Sequence, residues 1–272
     1  MPRPFLRWAG GKSWLAHRLN ALFQLPEFNN YHEPFFGGGS VYLAINPQHE
    51  VYLSDLNQEL IDTYIAIRDF PIEVIAMLRK YENTEQFYYD LRANVPIELT
   101  AQAARFIYLN QTSFNGIYRV NNNGQYNVPY GYRQKNFLEE DKLLEISLYL
   151  QGAHIFQGDF DIIRKNLNAN DLVFLDPPYT ISHIGNKNGF IKYNQRLFSL
   201  DDQYRLSELI DFIKEIGAYY ILTNAFHTII QEIFFREGDY LFEVNRASLI
   251  GGENARRGQV SEYIFTNIRE GN

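Results

Sequence analysis

Asp176-Pro177-Pro178-Tyr179 follows directly on the apolar run Leu172-Val173-Phe174-Leu175. This order brings a carboxylate, a rigid proline corner and an aromatic face together at the end of what reads as a buried strand. The set suits one chemical problem, holding a flat aromatic amine while its nitrogen attacks an electrophile. The lone pair of an exocyclic amine on a purine is delocalised into the ring, so that nitrogen is a poor nucleophile. A carboxylate and the Pro177 carbonyl accepting its two hydrogens would pull it toward tetrahedral geometry and localise the pair. The Tyr179 ring offers a stacking face for a base that has left its helix. Prolines after a strand also build ordinary turns, so the weight of the motif rests on the residues that accompany it.

The first companion is Gly37-Gly38-Gly39, after the strand-like run Tyr31-His32-Glu33. Glycines there permit a tight turn and close backbone approach to a ligand. They do not make the G-x-G-x-x-G dinucleotide pattern, because Val41 and Tyr42 occupy the third-glycine region. The second companion is Asp55, 16 residues past Gly39 and at the end of the next strand-like run. An acid at that place grips ribose hydroxyls; Asp55 or Ser54 is also placed to cap the following helix. A ribose-binding acid without a pyrophosphate loop points to a nucleoside cofactor lacking phosphates. S-adenosylmethionine fits, and its sulfonium cation suits a neighbouring carboxylate such as Asp176.

The elements that must position these groups alternate between strand-like and helix-like runs at both ends of the chain. A βαβ unit spans Tyr31 to Asp55, with a helical stretch from Ser40 to Ile45. Residues 57–110 have helical periodicity interrupted at Pro71 and Pro96. Residues 113–136 are polar and turn-rich, with Asn121-Asn122-Asn123-Gly124 between Ile117-Tyr118 and Tyr126-Asn127-Val128, a hairpin signal. Strand-like runs return at 153–157, 172–175, 219–223, 240–245 and 262–266. The expected architecture is a mostly parallel α/β domain interrupted by a helical and hairpin module. Its divisions are 1–57 with 150–272 as the catalytic, cofactor-binding domain and 58–149 as the target-recognition domain.

Composition sets further bounds. The chain has 272 residues, enough for one large or two modest domains. It has no cysteine, which excludes disulfides and thiolate metal sites. Its six histidines lack ligand spacing, so no metal is expected. No signal peptide or membrane span is legible, and a soluble, cytoplasmic protein is expected. The net charge of −7 opposes nucleic-acid binding only as a sum. Residues 111–138 carry Arg119, Arg133 and Lys135 without an acid, and 180–200 carry Lys187, Lys192 and Arg196 likewise. Arg246, Arg256 and Arg257 face Glu253 alone, while acids gather in 50–98 and 139–145. The 20 Tyr and 21 Phe serve either base stacking or a core.

Together these residues resemble the Dam-like N6-adenine DNA methyltransferases, in which the cofactor motif precedes the recognition region and DPPY follows it. The resemblance covers nearly the whole chain, through Phe5-Leu6-Arg7-Trp8-Ala9-Gly10-Gly11-Lys12, Glu33-Pro34-Phe35-Phe36-Gly37-Gly38-Gly39-Ser40-Val41 and Ser54-Asp55-Leu56-Asn57. It continues through Gly158-Asp159-Phe160, the 176–179 motif, Phe190-Ile191-Lys192-Tyr193-Asn194 with Phe198 and Asp202-Gln203, and the stretch from Arg246 to Glu262. It implies a Rossmann-like methyltransferase fold and methyl transfer from S-adenosylmethionine to the N6 amine of an adenine flipped out of duplex DNA. Asp176, Pro177, Pro178, Tyr179 and Lys12 are the implied catalytic set. Trp8, Lys12, Phe36, Gly37, Gly38, Gly39, Asp55, Asp159, Phe160 and Asp176 are the implied cofactor contacts. Phe114-Asn115-Gly116-Ile117-Tyr118-Arg119-Val120-Asn121, with the residues from Gly124 to Gly131, is similar to the family's recognition hairpin. Arg119 and Asn121 are then DNA contacts, with Asn127 and Pro129 shaping the loop. Val120 and Asn123 replace the aromatic and basic residues common in members that methylate GATC, which argues against GATC as the target. Cytosine-N4 or RNA-adenine methylation, a non-catalytic DNA-binding relative and a Rossmann oxidoreductase are the alternatives. A monomer, with a cognate restriction endonuclease encoded alongside, completes the expectation.

Overall fold

The computed structural model describes residues 2–121, 123–179, 198–247 and 259–269. The expected features at 190–194 and 248–257, with Lys187, Lys192 and Arg196, lie outside the described residues, as does the side chain of Arg246. The fold is α/β around a seven-stranded sheet. Its strands are β1 (Tyr31–Glu33), β2 (Val51–Asp55), β3 (His154–Gln157), β4 (Leu172–Leu175), β5 (Tyr219–Ala225), β6 (Tyr240–Ala247) and β7 (Gln259–Thr266). Two compact units divide the chain: Met1–Lys12, Gly37–Asn46 and Asp55–Gln157 form the first, and Ser13–Phe36, Pro47–Ser54 and Gly158–Asn272 the second.

In the second unit the strands follow the order β2-β1-β4-β5-β7-β6. β1 pairs in parallel with β2 and β4, and β4 with β5; β7 is antiparallel to both β5 and β6. All four residues of β4 are buried, as a central parallel strand covered on both faces requires. The helix Leu200–Glu215 covers this sheet with Leu206, Leu209, Ile210 and Ile213, a stripe at helical spacing. They pack in one core with Phe160, Val173, Leu175, Tyr220 and Leu222. Ser199 and Asp202 start that helix as a reciprocal capping box. Near the start of β4, the buried Asp171 carboxylate meets His32 Nε2 at 3.0 Å and accepts the backbone N–H groups of Asn30 and Asn168.

The first unit is helical, with Gln58–Asp69, Pro71–Leu78, Glu85–Ala93, Leu99–Thr112 and Glu140–Leu150 beside the strand β3. Pro71 opens its helix at the one turn where a missing N–H is harmless, and Pro96 falls in a link between helices. The helix after β2 is capped by Asn57, whose Oδ1 accepts from Leu60 N, and not by Asp55 or Ser54. This frees Asp55 for a different partner set.

The hairpin signal at 117–128 is realised as a short hairpin closed by the Val120–Tyr126 bridge, with Asn121 N donating to Gln125 O at 2.8 Å and Asn127 N to Arg119 O at 3.1 Å. A second isolated bridge joins Ser113 and Tyr130. Side chains add to this backbone closure. Asn121 Oδ1 accepts from Asn123 N at 2.9 Å and Gln125 N at 3.0 Å. Tyr126 donates to Ile117 O, Tyr88 to Val128 O, and Tyr130 to Asn83 O. Tyrosines in this unit are therefore loop anchors with buried rings.

Gly131 is a tight point of that loop. A Cβ there would lie 2.6 Å from the backbone C and O of Ser113 and 2.8 Å from Phe114 N. Backbone cannot step aside as a flexible side chain can, so Gly131→Ala should cost about 1–3 kcal/mol. Urea unfolding of the variant checks this; an unchanged midpoint contradicts it.

Candidate active site

β4 ends at Leu175, paired with Leu222 of β5, so the next residue of its chain, Asp176, comes to lie beside Thr223. Thr223 Oγ1 donates to Asp176 Oδ1 at 2.7 Å and stands 3.5 Å from Leu175 O. The hydroxyl has one hydrogen, and the shorter, charge-assisted bond takes it. Thr223 is fully buried and Asp176 half-buried, so one carboxylate oxygen is fixed from within the sheet. Pro177 is buried and Pro178 half-buried. Tyr179 donates its phenol hydrogen to Glu262 Oε2 at 2.8 Å. Thr223 escaped the sequence reading. Its signal is the polar pair Thr223-Asn224 closing the apolar run Tyr220-Ile221-Leu222 of a buried strand. Asn224 in turn donates to Gln203 Oε1 at 3.0 Å, tying the strand end to the capped helix.

Asp159 and Phe160 lie in the same unit. Phe160 is buried, with Phe35 stacked on it at 5.4 Å and Phe198 tilted against it. The Arg205 guanidinium sits 4.7 Å from the Phe160 centroid and bonds Asp159 Oδ1 at 2.7 Å. Those carboxylates, Asp159 first, hold the Arg205 proton more firmly than usual. Phe36 is also buried, its N–H on Ser54 O.

The first unit holds the glycine turn. Gly37 and Gly39 have φ of +48° and +68°, which favours glycine at both. The space a side chain would take at Gly37 and Gly38 is filled by Trp8, its indole 2.9 Å from a Cβ at Gly37 and its Cβ 3.1 Å from one at Gly38. These two glycines make room for the Trp8 side chain. Gly37 N donates to Asp55 Oδ2 and Asn57 N to Asp55 Oδ1, both at 3.0 Å. Each carboxylate oxygen thus holds one backbone donor and keeps further acceptor capacity. Burial pushes the Asp55 carboxyl above its usual range, against the opposing backbone N–H groups of Asn57, Gly37 and Leu56. Lys12 is buried, its Nζ donating to Gly10 O at 2.9 Å and its backbone N–H to Ser40 Oγ at 3.1 Å.

Trp8 also touches the recognition segment of this unit, stacking on Tyr118 at 5.6 Å. Tyr118 is fixed by its hydroxyl on Glu59 Oε2. The exposed Arg119 donates from Nε to Asn127 Oδ1 at 2.7 Å, so two of the candidate DNA residues hold each other. Asn121 bonds its own turn, and Pro129 O accepts from Phe114 N. Lys135 pairs with Glu139. Arg7 lies against Gly116, where a Cβ would come within 2.4 Å of its Nε. Its pKa is lowered, first by burial and then by the like charge of Arg133.

A description of D12 class N6 adenine-specific DNA methyltransferases matches residues 8–246. The chain belongs to this family. It is 33% identical to Type II methyltransferase M1.LlaDCHI of Lactococcus lactis subsp. cremoris, over 97% of this chain and 95% of that one. It is 34% identical to Type II methyltransferase M.MjaIII of Methanocaldococcus jannaschii, over 83% of this chain and 85% of that one. Identity to the DNA adenine methylase of Escherichia coli K12 is 28%, over 96% and 94% of the two chains. The Dam-like resemblance and the Rossmann-like fold read from the sequence are both borne out.

The bond from Thr223 gives the Asp176 carboxylate a fixed orientation, a requirement if that carboxylate is to meet an amine. Thr223→Val keeps the shape and removes the donor. A lost charge-assisted hydrogen bond of ~1.5–3 kcal/mol corresponds to a roughly ten- to hundredfold fall in turnover. Steady-state methylation with a circular-dichroism control for folding checks it, and an unchanged kcat contradicts it.

Proposed function

We propose that the chain transfers the methyl group of S-adenosylmethionine to the N6 amine of an adenine flipped out of duplex DNA. The observation that carries this is the anchoring of Asp176 and Tyr179, at the two ends of 176–179, by separate strands at the end of β4. Asp176 accepts one amine hydrogen while Thr223 holds its other oxygen. The Pro177 carbonyl accepts the second hydrogen, and the nitrogen pair localises for attack. Tyr179 stacks on the base. The cofactor supplies a methyl on a positive sulfur; an N–C bond forms, the S–C bond breaks, and the nitrogen then loses a proton to water.

The residues present fit that cofactor. Asp55 retains acceptor capacity for ribose hydroxyls, and Trp8 packs on the turn at 37 and 38. Lys12 belongs to the proposed catalytic set, and Phe36 lines the cofactor turn. Asp159 accepts from the adenine amine of the cofactor with Phe160 against its ring, and an adenine seated there displaces the Arg205 guanidinium. Arg119, Asn121, Asn127 and Pro129 form the DNA-facing loop of a recognition domain spanning 58–149, with 1–57 and 150–272 as the catalytic domain. The juxtaposed charges of Arg7 and Arg133 favour an anionic partner beside that loop. Val120 and Asn123 set the target apart from GATC. Two relatives are named type II methyltransferases, which supports a partner restriction endonuclease. A monomer in the cytoplasm completes the reading; among the described residues no helix is long and apolar enough to cross a membrane.

Asp176→Ala should abolish methylation of unmethylated genomic DNA while S-adenosylmethionine binding stays measurable by calorimetry. Robust methylation by that variant sinks the assignment.

Asp55 adds a pH signature. Its carboxyl is raised, so it protonates at a higher pH than an ordinary aspartate as acid is added. The ionised form costs folding stability, a cost relieved as pH falls through the raised value. The protonated form is a poorer ribose acceptor, so cofactor affinity should weaken as pH drops from neutral toward mildly acidic. Asp55→Asn should bind more weakly at neutral pH and lose that dependence; a wild-type affinity flat from pH 7 to 5 contradicts the role.

A further inference from the structure

A glutamate buried within a sheet must find a donor, and Glu262 is 1% exposed on β7. Its register partners are Ala225 on β5 and Val244 on β6. Directly opposed residues share a face, and both of these are apolar. The carboxylate accepts the phenol hydrogen of Tyr179 at 2.8 Å. The strand order β4-β5-β7 makes this contact informative. The chain leaves β4 at Leu175, bonds Thr223 of β5 through Asp176, and reaches β7 through Tyr179. Pro177 and Pro178 restrict the backbone between these anchors.

We propose that Glu262 is the positioning residue for base stacking, setting the plane of the Tyr179 ring before the substrate base arrives. A tyrosine ring turns on two torsions; a fixed hydroxyl position sets the first, and because a phenol O–H prefers to lie in the ring plane, the direction of the Glu262 acceptor sets the second. The ring then presents one face, and the base loses no free energy to ordering it. A tyrosine needed for packing alone gains nothing from a buried anion that an apolar neighbour would not give at lower desolvation cost. This inference rests on the reading that Tyr179 stacks on the target base, and the experiment separates the two.

Full-length wild type and the variants Glu262→Gln, Glu262→Leu, Tyr179→Phe, Tyr179→Ala and Tyr179→Phe/Glu262→Leu are compared on unmethylated genomic DNA. The readouts are kcat, KM for S-adenosylmethionine and the melting temperature. Glu262→Leu and Tyr179→Phe should each lower kcat at least tenfold with KM for the cofactor unchanged. Glu262→Gln, which keeps an acceptor, should restore most of the rate. The double variant should be no slower than the slower single, because both changes remove one bond. Additive losses in the double variant, or a wild-type kcat in Tyr179→Phe, overturn the proposal; the second outcome decides it even if Glu262→Leu does not fold. Loss of activity in Tyr179→Ala with wild-type rates in Tyr179→Phe and Glu262→Leu leaves stacking intact and removes only the positioning role. Full activity in Tyr179→Ala removes stacking, and a wild type that methylates no adenine removes the functional reading; the proposal falls with either.

Discussion

A carboxylate that accepts hydrogens from a neutral amine has to be fixed before the amine arrives, and the bond from Thr223 to Asp176 meets that requirement. Its strength comes from what lies beneath. Thr223 sits on a strand paired along four residues with β4, and both strands are sealed by the helix that begins at the Ser199–Asp202 capping box. Gln203 of that helix reaches Asn224, the neighbour of Thr223. Among the described residues after the DPPY motif, three therefore act through structure. Phe198 is core, Asp202 is a cap, and Gln203 ties helix to strand.

In the first unit one aromatic contact links the glycine turn to the segment before Arg119. Trp8 fills the space left by Gly37 and Gly38 and stacks on Tyr118, the residue before Arg119. The backbone of Arg7 is held from both sides by Asn110, which accepts from its N–H at 2.8 Å and donates to its carbonyl at 2.7 Å. A rigid N-terminal segment thus fixes the indole that packs the turn. The overall charge of −7 coexists with this cationic neighbourhood because phosphates respond to nearby charges and not to the sum.

What was legible in the sequence is what local pattern dictates. β4 announced itself as an unbroken apolar run because a central parallel strand has no polar face. Asp55 was legible as a strand end, but as a candidate helix cap it stands two residues too early: the helix starts at Gln58, and Asn57 has the side chain to cap it. The 117–128 hairpin was legible, and the Val120–Tyr126 bridge with the bond from Asn127 N to Arg119 O closes it; the added side-chain bonds from Asn121 and the tyrosines were not. Thr223 and Glu262 were hidden as partners of the motif. They stand 47 and 83 residues from Asp176 and Tyr179, and only strand register brings each pair together.

The central claim is that a carboxylate and an aromatic ring, pinned to neighbouring strands, direct methyl transfer to adenine in a defined DNA sequence. Incubating the purified protein with S-adenosylmethionine and unmethylated genomic DNA, then sequencing for modified bases, tests it most directly. The account predicts N6-methyladenine confined to one short motif. Methylated cytosine, or DNA left unmodified while the protein binds the cofactor, would contradict it.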